Sequence, residues 1–181
     1  NVEDINGGAI KLYNSIIGEN GATDKGGGIC TDSSVLMRNT SINNNSSRNG
    51  GGLYIGNTAT VHMWMGSYIN NNYAYNNGGG VYIGEKANFL LTDNNIYQNN
   101  CAKNGMGVYV RGKFQMFSIA SVDESNEVYL TRQTYISIID RLLKPSGYVA
   151  VIRTTLTDPG TIIAQVEYST DAQKELYYIG D

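Results

Sequence analysis

The sequence is poor in the residues that build metal sites, disulfide frameworks and membrane spans. It contains one histidine, two cysteines and two prolines among 181 residues. A single histidine cannot form a zinc site by itself, and no run reaches the roughly 18 apolar residues that indicate a membrane-spanning helix. We therefore expect no metal, no cofactor and no transmembrane segment in this chain.

Charge of either sign is also scarce, because only 16% of the residues are charged and the formal net charge is −3. A nucleic-acid-binding domain normally carries a basic patch and a high isoelectric point, whereas this chain has a pI near 5.1. We therefore expect no nucleic-acid partner. The opening residues, "NVEDINGGAI", do not form a signal peptide. We expect the chain to be a fragment or a mature product whose targeting and anchoring sequences lie elsewhere.

Glycine, in contrast, is abundant, with 22 residues, and much of it falls in a repeated passage. "NNGGGVYIGEKANFLLTDNNIYQNN" follows the same plan as "NGGGLYIGNTATVHMWMGSYINNN" upstream and "NGMGVYVRGKFQMFSIASVDESNEVYL" downstream. Each unit contains a triplet in which one outward residue separates two inward ones, which is the period of a β-strand. The triplets are Ile10-Lys11-Leu12, Ile29-Cys30-Thr31, Leu53-Tyr54-Ile55, Val81-Tyr82-Ile83, Val108-Tyr109-Val110 and Val128-Tyr129-Leu130.

Two further columns repeat with the triplets. Apolar pairs of a second strand are Val35 and Met37, Val61 and Met63, Phe89 and Leu91, and Phe114 and Met116. Closing pairs of an isoleucine and an asparagine are Ile17 and Asn20, Ile42 and Asn45, Ile69 and Asn72, and Ile96 and Asn99. A unit of three short strands cannot bury its apolar face alone, but stacked units pool these faces into one core. The sequence therefore predicts an all-β fold, a single parallel β-helix of about six or seven rungs.

A small residue stands two positions beyond each closing asparagine, and it is Ala22, Ser47, Ala74 or Cys101. We interpret this column as a tight inward corner and expect Cys101 to be buried. Cys30 lies in an outward column two rungs away. Because neighbouring strands are about 4.8 Å apart, the two thiols are about 10 to 15 Å apart, which is beyond the reach of a disulfide. We therefore expect two free cysteines.

Taken together, the "NGGGVYI" and "NGGGLYI" units, the spaced apolar pairs and the closing Ile and Asn resemble a known family. They are similar to the right-handed parallel β-helix repeats of large bacterial surface and secreted proteins, which are often described as adhesin-like. The resemblance covers about residues 6–130. It implies a right-handed coil with a pectin-lyase-like fold and an extracellular or cell-surface location.

The glycine pattern ends near residue 130, although strand-like runs continue. These runs are 135–139, 148–152, 162–166 and 176–179. We interpret 1–130 as β-helix repeats and 131–181 as terminal rungs or a small β cap continuous with the solenoid. A separate small β domain over 131–181 is the alternative.

Catalytic groups do not assemble in this pattern. Enzymes that cleave glycosidic bonds by hydrolysis need a pair of carboxylates close to one another, but Asp32, Glu85 and Asp93 fall in polar gaps of different lengths. His62 stands between two inward residues, so we expect a histidine on the surface with no catalytic partner. The sequence predicts a non-enzymatic protein. The alternative is a carbohydrate-active enzyme, similar to a polysaccharide lyase or hydrolase, or a carbohydrate-binding domain.

Tyrosine fills the outward position of four consecutive triplets, at Tyr54, Tyr82, Tyr109 and Tyr129. Such an aromatic ladder is a candidate binding surface for a glycan or a protein, because tyrosine is favoured at interfaces. The alternative is that in-register aromatic residues only stabilise the stack. The closing asparagines form a second, inward column, which we interpret as a structural amide ladder.

The sequence thus predicts an adhesin-like or structural scaffold module, at the cell surface or secreted. Its expected partner is a glycan or protein on a host or microbial surface. Both ends of such a helix carry unpaired strand edges, which invite further pairing. We therefore also expect that the chain belongs to a larger one or associates end to end with other copies.

Overall fold

The computed structural model describes residues 9–56, 58–93, 95–96, 100–142, 151–154, 161–167 and 174–178. These residues form a parallel β-solenoid of about five turns, and none of them is helical. The predicted all-β parallel β-helix is confirmed, although six or seven rungs is slightly too many. Within the described residues, no helix reaches the length and apolarity that crossing a membrane requires.

The longest sheet, here called the long sheet, contains the second strand of each turn. Its strands are parallel until the last pair, β20 and β21, which is antiparallel. In spatial order they are β1 (Ile10–Tyr13), β4 (Val35–Arg38), β8 (Thr60–Trp64), β12 (Asn88–Thr92), β15 (Lys113–Ser118), β18 (Ile136–Leu142), β20 (Ile162–Glu167) and β21 (Lys174–Tyr178).

Two shorter parallel sheets contain the other strands of the turns, and a corner pair joins two of the turns. The tyrosine sheet contains β3 (Ile29–Thr31), β7 (Leu53–Ile55), β11 (Val81–Ile83), β14 (Val108–Val110), β17 (Glu127–Leu130) and β19 (Val151–Thr154). The isoleucine sheet contains β2 (Ile16–Gly18), β5 (Ser41–Asn43), β9 (Tyr68–Asn70), β13 (Asn95–Ile96) and β16 (Ser121–Val122). The corner pair is β6 (Ser46–Asn49) with β10 (Tyr73–Asn77).

The first predicted triplet belongs to a different sheet from the other five. Ile10 pairs with Val35 in the long sheet, so Lys11 faces Leu36 and lies outside the tyrosine column. Spacing explains the difference, because Ile10 precedes Ile17 by the same interval as Val35 precedes Ile42. The chain therefore starts its first described turn on the long sheet.

The core is one continuous column of apolar side chains between the three sheets. The predicted inward residues of the second strand, from Val35 to Met116, are 0 to 1% exposed. Phe89 and Phe114 stack with their ring centroids 5.6 Å apart. Each such side chain contributes about 1.5–3 kcal/mol when it is buried. Burial of this column therefore drives the stacking of the turns.

Three consecutive glycines stand at the corner before β3, β7 and β11, and they are needed there for two different reasons. Gly78 has a φ of 67°, a left-handed conformation that glycine adopts without strain. A Cβ added at Gly79 would lie 2.6 Å from the carbonyl oxygens of Cys101 and Met106, and one at Gly80 would lie 2.6 Å from Gly107 O. The glycines thus allow the main chains of neighbouring turns to approach closely.

The predicted amide ladder is present, with one correction. Asn45 Nδ2 donates to Asn72 Oδ1 at 3.0 Å, and Asn72 Nδ2 donates to Asn100 Oδ1 at 3.1 Å. The rung assigned to Asn99 is therefore occupied by Asn100, and Asn99 itself lies outside the described residues. Asn126 extends the ladder, because its Oδ1 accepts from Asn100 N at 3.2 Å.

The same one-residue shift moves Cys101. It pairs with Tyr73 in an outward position and is exposed, so the prediction of a buried cysteine is wrong. Cys30 is also exposed, and both cysteines are free as predicted.

After residue 130, the described strands continue the sheets of the repeats. β18 and β20 extend the long sheet in parallel, and β19 extends the tyrosine sheet in parallel. β21 ends the long sheet with an antiparallel partner. A boundary near residue 130 stays a prediction, as does the choice between terminal rungs and a separate domain.

We expect Gly79→Ala to lower the free energy of unfolding by about 2–4 kcal/mol, because the added methyl group would meet main-chain oxygens that cannot move independently. Gly21→Ala is the matched control, since a Cβ there lies 3.5 Å from Ser46 Oγ, an ordinary contact. The control should change stability by less than about 0.5 kcal/mol. Chemical denaturation of both variants measures the difference, and equal midpoints would contradict the close-approach explanation.

Candidate functional site: the tyrosine ladder

The structure brings all four predicted tyrosines into one column on the outside of the tyrosine sheet. Each stands at the middle of a short strand whose flanking residues are buried, as Leu53 and Ile55 are on either side of Tyr54. Strand pairing places Tyr54 opposite Tyr82, Tyr82 opposite Tyr109 and Tyr109 opposite Tyr129. We call these four residues the tyrosine ladder. The inward neighbours hold the ladder in register, because a shift of one residue would expose the core.

The rings of the ladder stack on one another. Their centroids are 4.7 Å apart between Tyr54 and Tyr82, and 5.3 Å apart for each of the next two pairs, with interplanar angles of 9° to 20°. Each stacked pair contributes about 0.5–1.5 kcal/mol beyond burial. Tyr82 is only 8% exposed. A ligand would therefore meet ring edges and hydroxyl groups, because neighbouring rings cover the internal ring faces.

Two cations lie against the ladder. The Nζ of Lys25 lies 5.0 Å from the centroid of the Tyr54 ring, a cation–π contact at the first ring of the ladder. Arg111 Nη1 donates to the hydroxyl of Tyr82 at 3.3 Å, and Arg111 also pairs with Glu85. The hydrogen bond to Tyr82 raises the pKa of Arg111. The ladder is thus bordered by a fixed positive charge on its hydroxyl side.

Partial burial affects the ionisation of two hydroxyls of the ladder, those of Tyr54 and Tyr109. Partial burial is the largest cause that raises the pKa of both Tyr54 and Tyr109 above the usual value near 10. At neutral pH these phenols are therefore neutral hydrogen-bond donors. Because the four rings repeat at 4.7 to 5.3 Å, the four hydroxyls of the ladder form a row with about the spacing of the strands.

The three acids that the sequence singled out lie in different surroundings. Glu85 is paired with Arg111 beside the ladder. Asp93 occupies a left-handed corner, with a φ of 53°, directly after strand β12 of the long sheet. Asp32 covers Gly56, where an added Cβ would lie 1.7 Å from its carboxylate oxygen. Among the described residues, no three histidine, cysteine or acidic side chains cluster closely enough to hold a metal ion.

A second cluster, which the sequence did not reveal, lies on the outer face of the long sheet. His62 Nε2 lies 3.1 Å from Thr92 Oγ1 in a hydrogen bond, and its ring stacks on Trp64 with centroids 6.0 Å apart. The guanidinium of Arg38 lies 5.6 Å from the Trp64 ring centroid. His62 is 8% exposed, so the expected surface histidine is instead covered. The signal in the sequence was Arg38 and Trp64 in one outward column.

No protein-family model, curated protein or solved structure matches this chain. The parallel β-solenoid is therefore shown by the strand pairing, whereas the resemblance to adhesin-like repeats rests on the sequence motif alone.

We expect the stability of the fold to decrease with acidification because of His62. Burial lowers the pKa of this histidine, so its folded pKa lies below its unfolded value near 6.5. Above the unfolded pKa, His62 is neutral in both the folded and the unfolded state, and the fold keeps its full stability. As the pH falls from the unfolded pKa toward the folded pKa, the unfolded state binds a proton that the folded state does not bind. Stability is therefore lost over this interval.

Melting temperatures measured from about pH 8 to pH 5 for the wild type and for His62→Gln test this expectation. The variant removes the titrating group, so its melting temperature should fall less over the same interval. Identical pH dependence in the two proteins would show that His62 is not responsible.

Proposed function

We propose that this chain is a non-enzymatic β-solenoid module of a surface or secreted protein, which acts as a stiff scaffold and binds a partner along the tyrosine ladder. The observation that carries the proposal is the in-register row of four outward tyrosines, with its hydroxyl edge bordered by Arg111. The partner is a glycan or a protein surface that offers acceptor oxygens to this row.

The stacking itself supports a binding role. Free tyrosine side chains lose rotamer freedom when they bind a partner, but the rings of the ladder are already fixed by their neighbours. A preorganised surface lowers the entropic cost of association. Tyrosine also provides both an apolar edge and a hydroxyl donor, which is why it is enriched at interfaces.

The geometry favours hydrogen bonding over ring stacking as the mode of recognition. Sugar rings that stack on aromatic residues need an open ring face. Lys25 lies over Tyr54, and the internal faces of the ladder contact each other. A partner would therefore bind across the hydroxyl row.

The scaffold role is supported by the regular stacking of the turns. About five turns at ~4.8 Å per turn span roughly 24 Å, with a continuous core along their length. The resemblance of the glycine units to adhesin-like β-helix repeats supports a surface or secreted location. The alternative of a carbohydrate-active enzyme needs convergent carboxylates. Glu85 paired with Arg111, and Asp93 at another corner, favour the non-enzymatic proposal.

The double variant Tyr82→Phe with Tyr109→Phe tests the binding role, because it removes two hydroxyls and keeps the stacked rings. Each lost hydrogen bond is worth about 0.5–1.5 kcal/mol, so affinity for the partner should fall about tenfold or more. The melting temperature should stay nearly unchanged. Partners are sought first with the wild type, on a glycan array and on a panel of surface proteins.

Tyr73→Phe with Tyr75→Phe is the matched control, since both tyrosines are exposed, 48% and 70%, and lie outside the ladder. The control should bind like the wild type. If the ladder double variant binds as tightly as the wild type, while Tyr82→Ala with Tyr109→Ala only lowers the melting temperature, the ladder is structural and the binding proposal fails.

A further inference from the structure

The sequence contains five Asn-Gly pairs. Among the pairs that the structure describes, one differs from the rest in the hydrogen bonding of its glycine nitrogen. Asn-Gly is the dipeptide most open to hydrolytic deamidation, because glycine has no Cβ to shield its main-chain nitrogen. That nitrogen attacks Cγ of the asparagine, a C–N bond forms, and ammonia leaves. Water then opens the resulting succinimide ring to give aspartate or isoaspartate. The reaction needs no other reactant.

Three of the pairs hold the attacking nitrogen in a hydrogen bond between turns. Gly50 N donates to Asn77 O at 2.9 Å, and Gly78 N donates to Asn104 O at 3.0 Å. Gly105 N donates to the carboxylate of Glu127 at 3.0 Å. All three glycines are buried. Attack at these positions first requires the turn to open locally, which protects them in the same way as it protects amides from hydrogen exchange.

The pair Asn20-Gly21 lacks this protection. Both residues are exposed. The strand bridge between Gly21 and Ser46 is formed by Asn20 O and Ala22 N, and it does not use the Gly21 nitrogen. Ser46 N donates to Asn20 O, and Ala22 N donates to Ser46 O, both at 2.9 Å. Within the described part of the chain, the Gly21 nitrogen donates no hydrogen bond. It is therefore open to solvent base. The fifth pair, Asn6-Gly7, lies outside the described residues.

From this difference, we propose that Asn20 is a deamidation site built into the first described turn. Its side chain is the first member of the amide ladder, where Asn20 Nδ2 donates to Asn45 Oδ1 at 3.0 Å and to Gly18 O at 2.9 Å. Deamidation replaces this donor by a carboxylate oxygen, which repels Asn45 Oδ1. Isoaspartate also adds a carbon to the main chain beside the Ser46 bridge. The modification thus loosens the attachment of the first turn to the next.

Peptide mapping by mass spectrometry after incubation at mildly alkaline pH measures the rate at each Asn-Gly pair. In the folded protein, Asn20 should react at least about tenfold faster than Asn49, Asn77 and Asn104, because those three require local opening. In denaturant, the four rates should become similar, since only the sequence then matters. Equal rates in the folded protein, or a faster reaction at one of the other three, would overturn the proposal.

Two variants complete the test. Gly21→Ala shields the nitrogen and makes only an ordinary contact with Ser46, so deamidation at Asn20 should slow while the other sites are unchanged. Asn20→Asp reproduces the product charge, and it should speed hydrogen exchange at Ala22 and Ser46 more than at Tyr82. Unchanged exchange at Ala22 and Ser46 would show that the modification does not loosen the first turn.

Discussion

In-register parallel stacking is the constraint on which the rest of this structure depends. Each turn lies one strand spacing, about 4.8 Å, from the next, so every side chain faces the residue at the same position of the neighbouring turn. Like charges in one column would repel, whereas like apolar groups pack. An asparagine amide both donates and accepts, and it therefore bonds to its own kind, as Asn45 does with Asn72. Columns of glycine let the main chains approach at the corners.

The tyrosine ladder is a product of the same constraint. Four outward tyrosines at one position must stack, and their rings do so at 4.7 to 5.3 Å. Stacking stabilises the solenoid and also fixes a row of hydroxyl groups. The tyrosines of this column therefore contribute both to stability and to the proposed binding surface. A substitution that removes the hydroxyl and keeps the ring, such as tyrosine to phenylalanine, separates the two roles. Of the charges beside the ladder, Lys25 lies against Tyr54 at one end, and Arg111 donates to the hydroxyl of Tyr82 within the column.

Much of the fold could be predicted from the sequence, because the residues of each column recur at similar intervals along the chain. The triplet at Val81, the core pair Phe89 and Leu91, and the ladder tyrosines all occupy their predicted columns. Errors occurred where the length of a gap changed, which moved Ile10 to another sheet and put Asn100 in the place expected for Asn99. The alternation of apolar and polar residues along a strand predicts which way a side chain points, but not whether neighbouring side chains cover it. The burial of His62 could therefore not be predicted. The repeated columns of the sequence contain no pattern that identifies the binding partner.

Hydrogen exchange of the asparagine side-chain amides, followed by NMR, tests the stacking constraint most directly. If the ladder joins successive turns, the Nδ2 protons of Asn45 and Asn72 exchange as slowly as the main-chain amides of the core strands, because both open only with the turn. The exposed Asn44, whose Nδ2 donates to Oδ1 of the adjacent Asn43, exchanges rapidly and serves as the internal reference. Rapid exchange of Asn45 and Asn72, at the rate of Asn44, would contradict a solenoid held in register by its amide ladder.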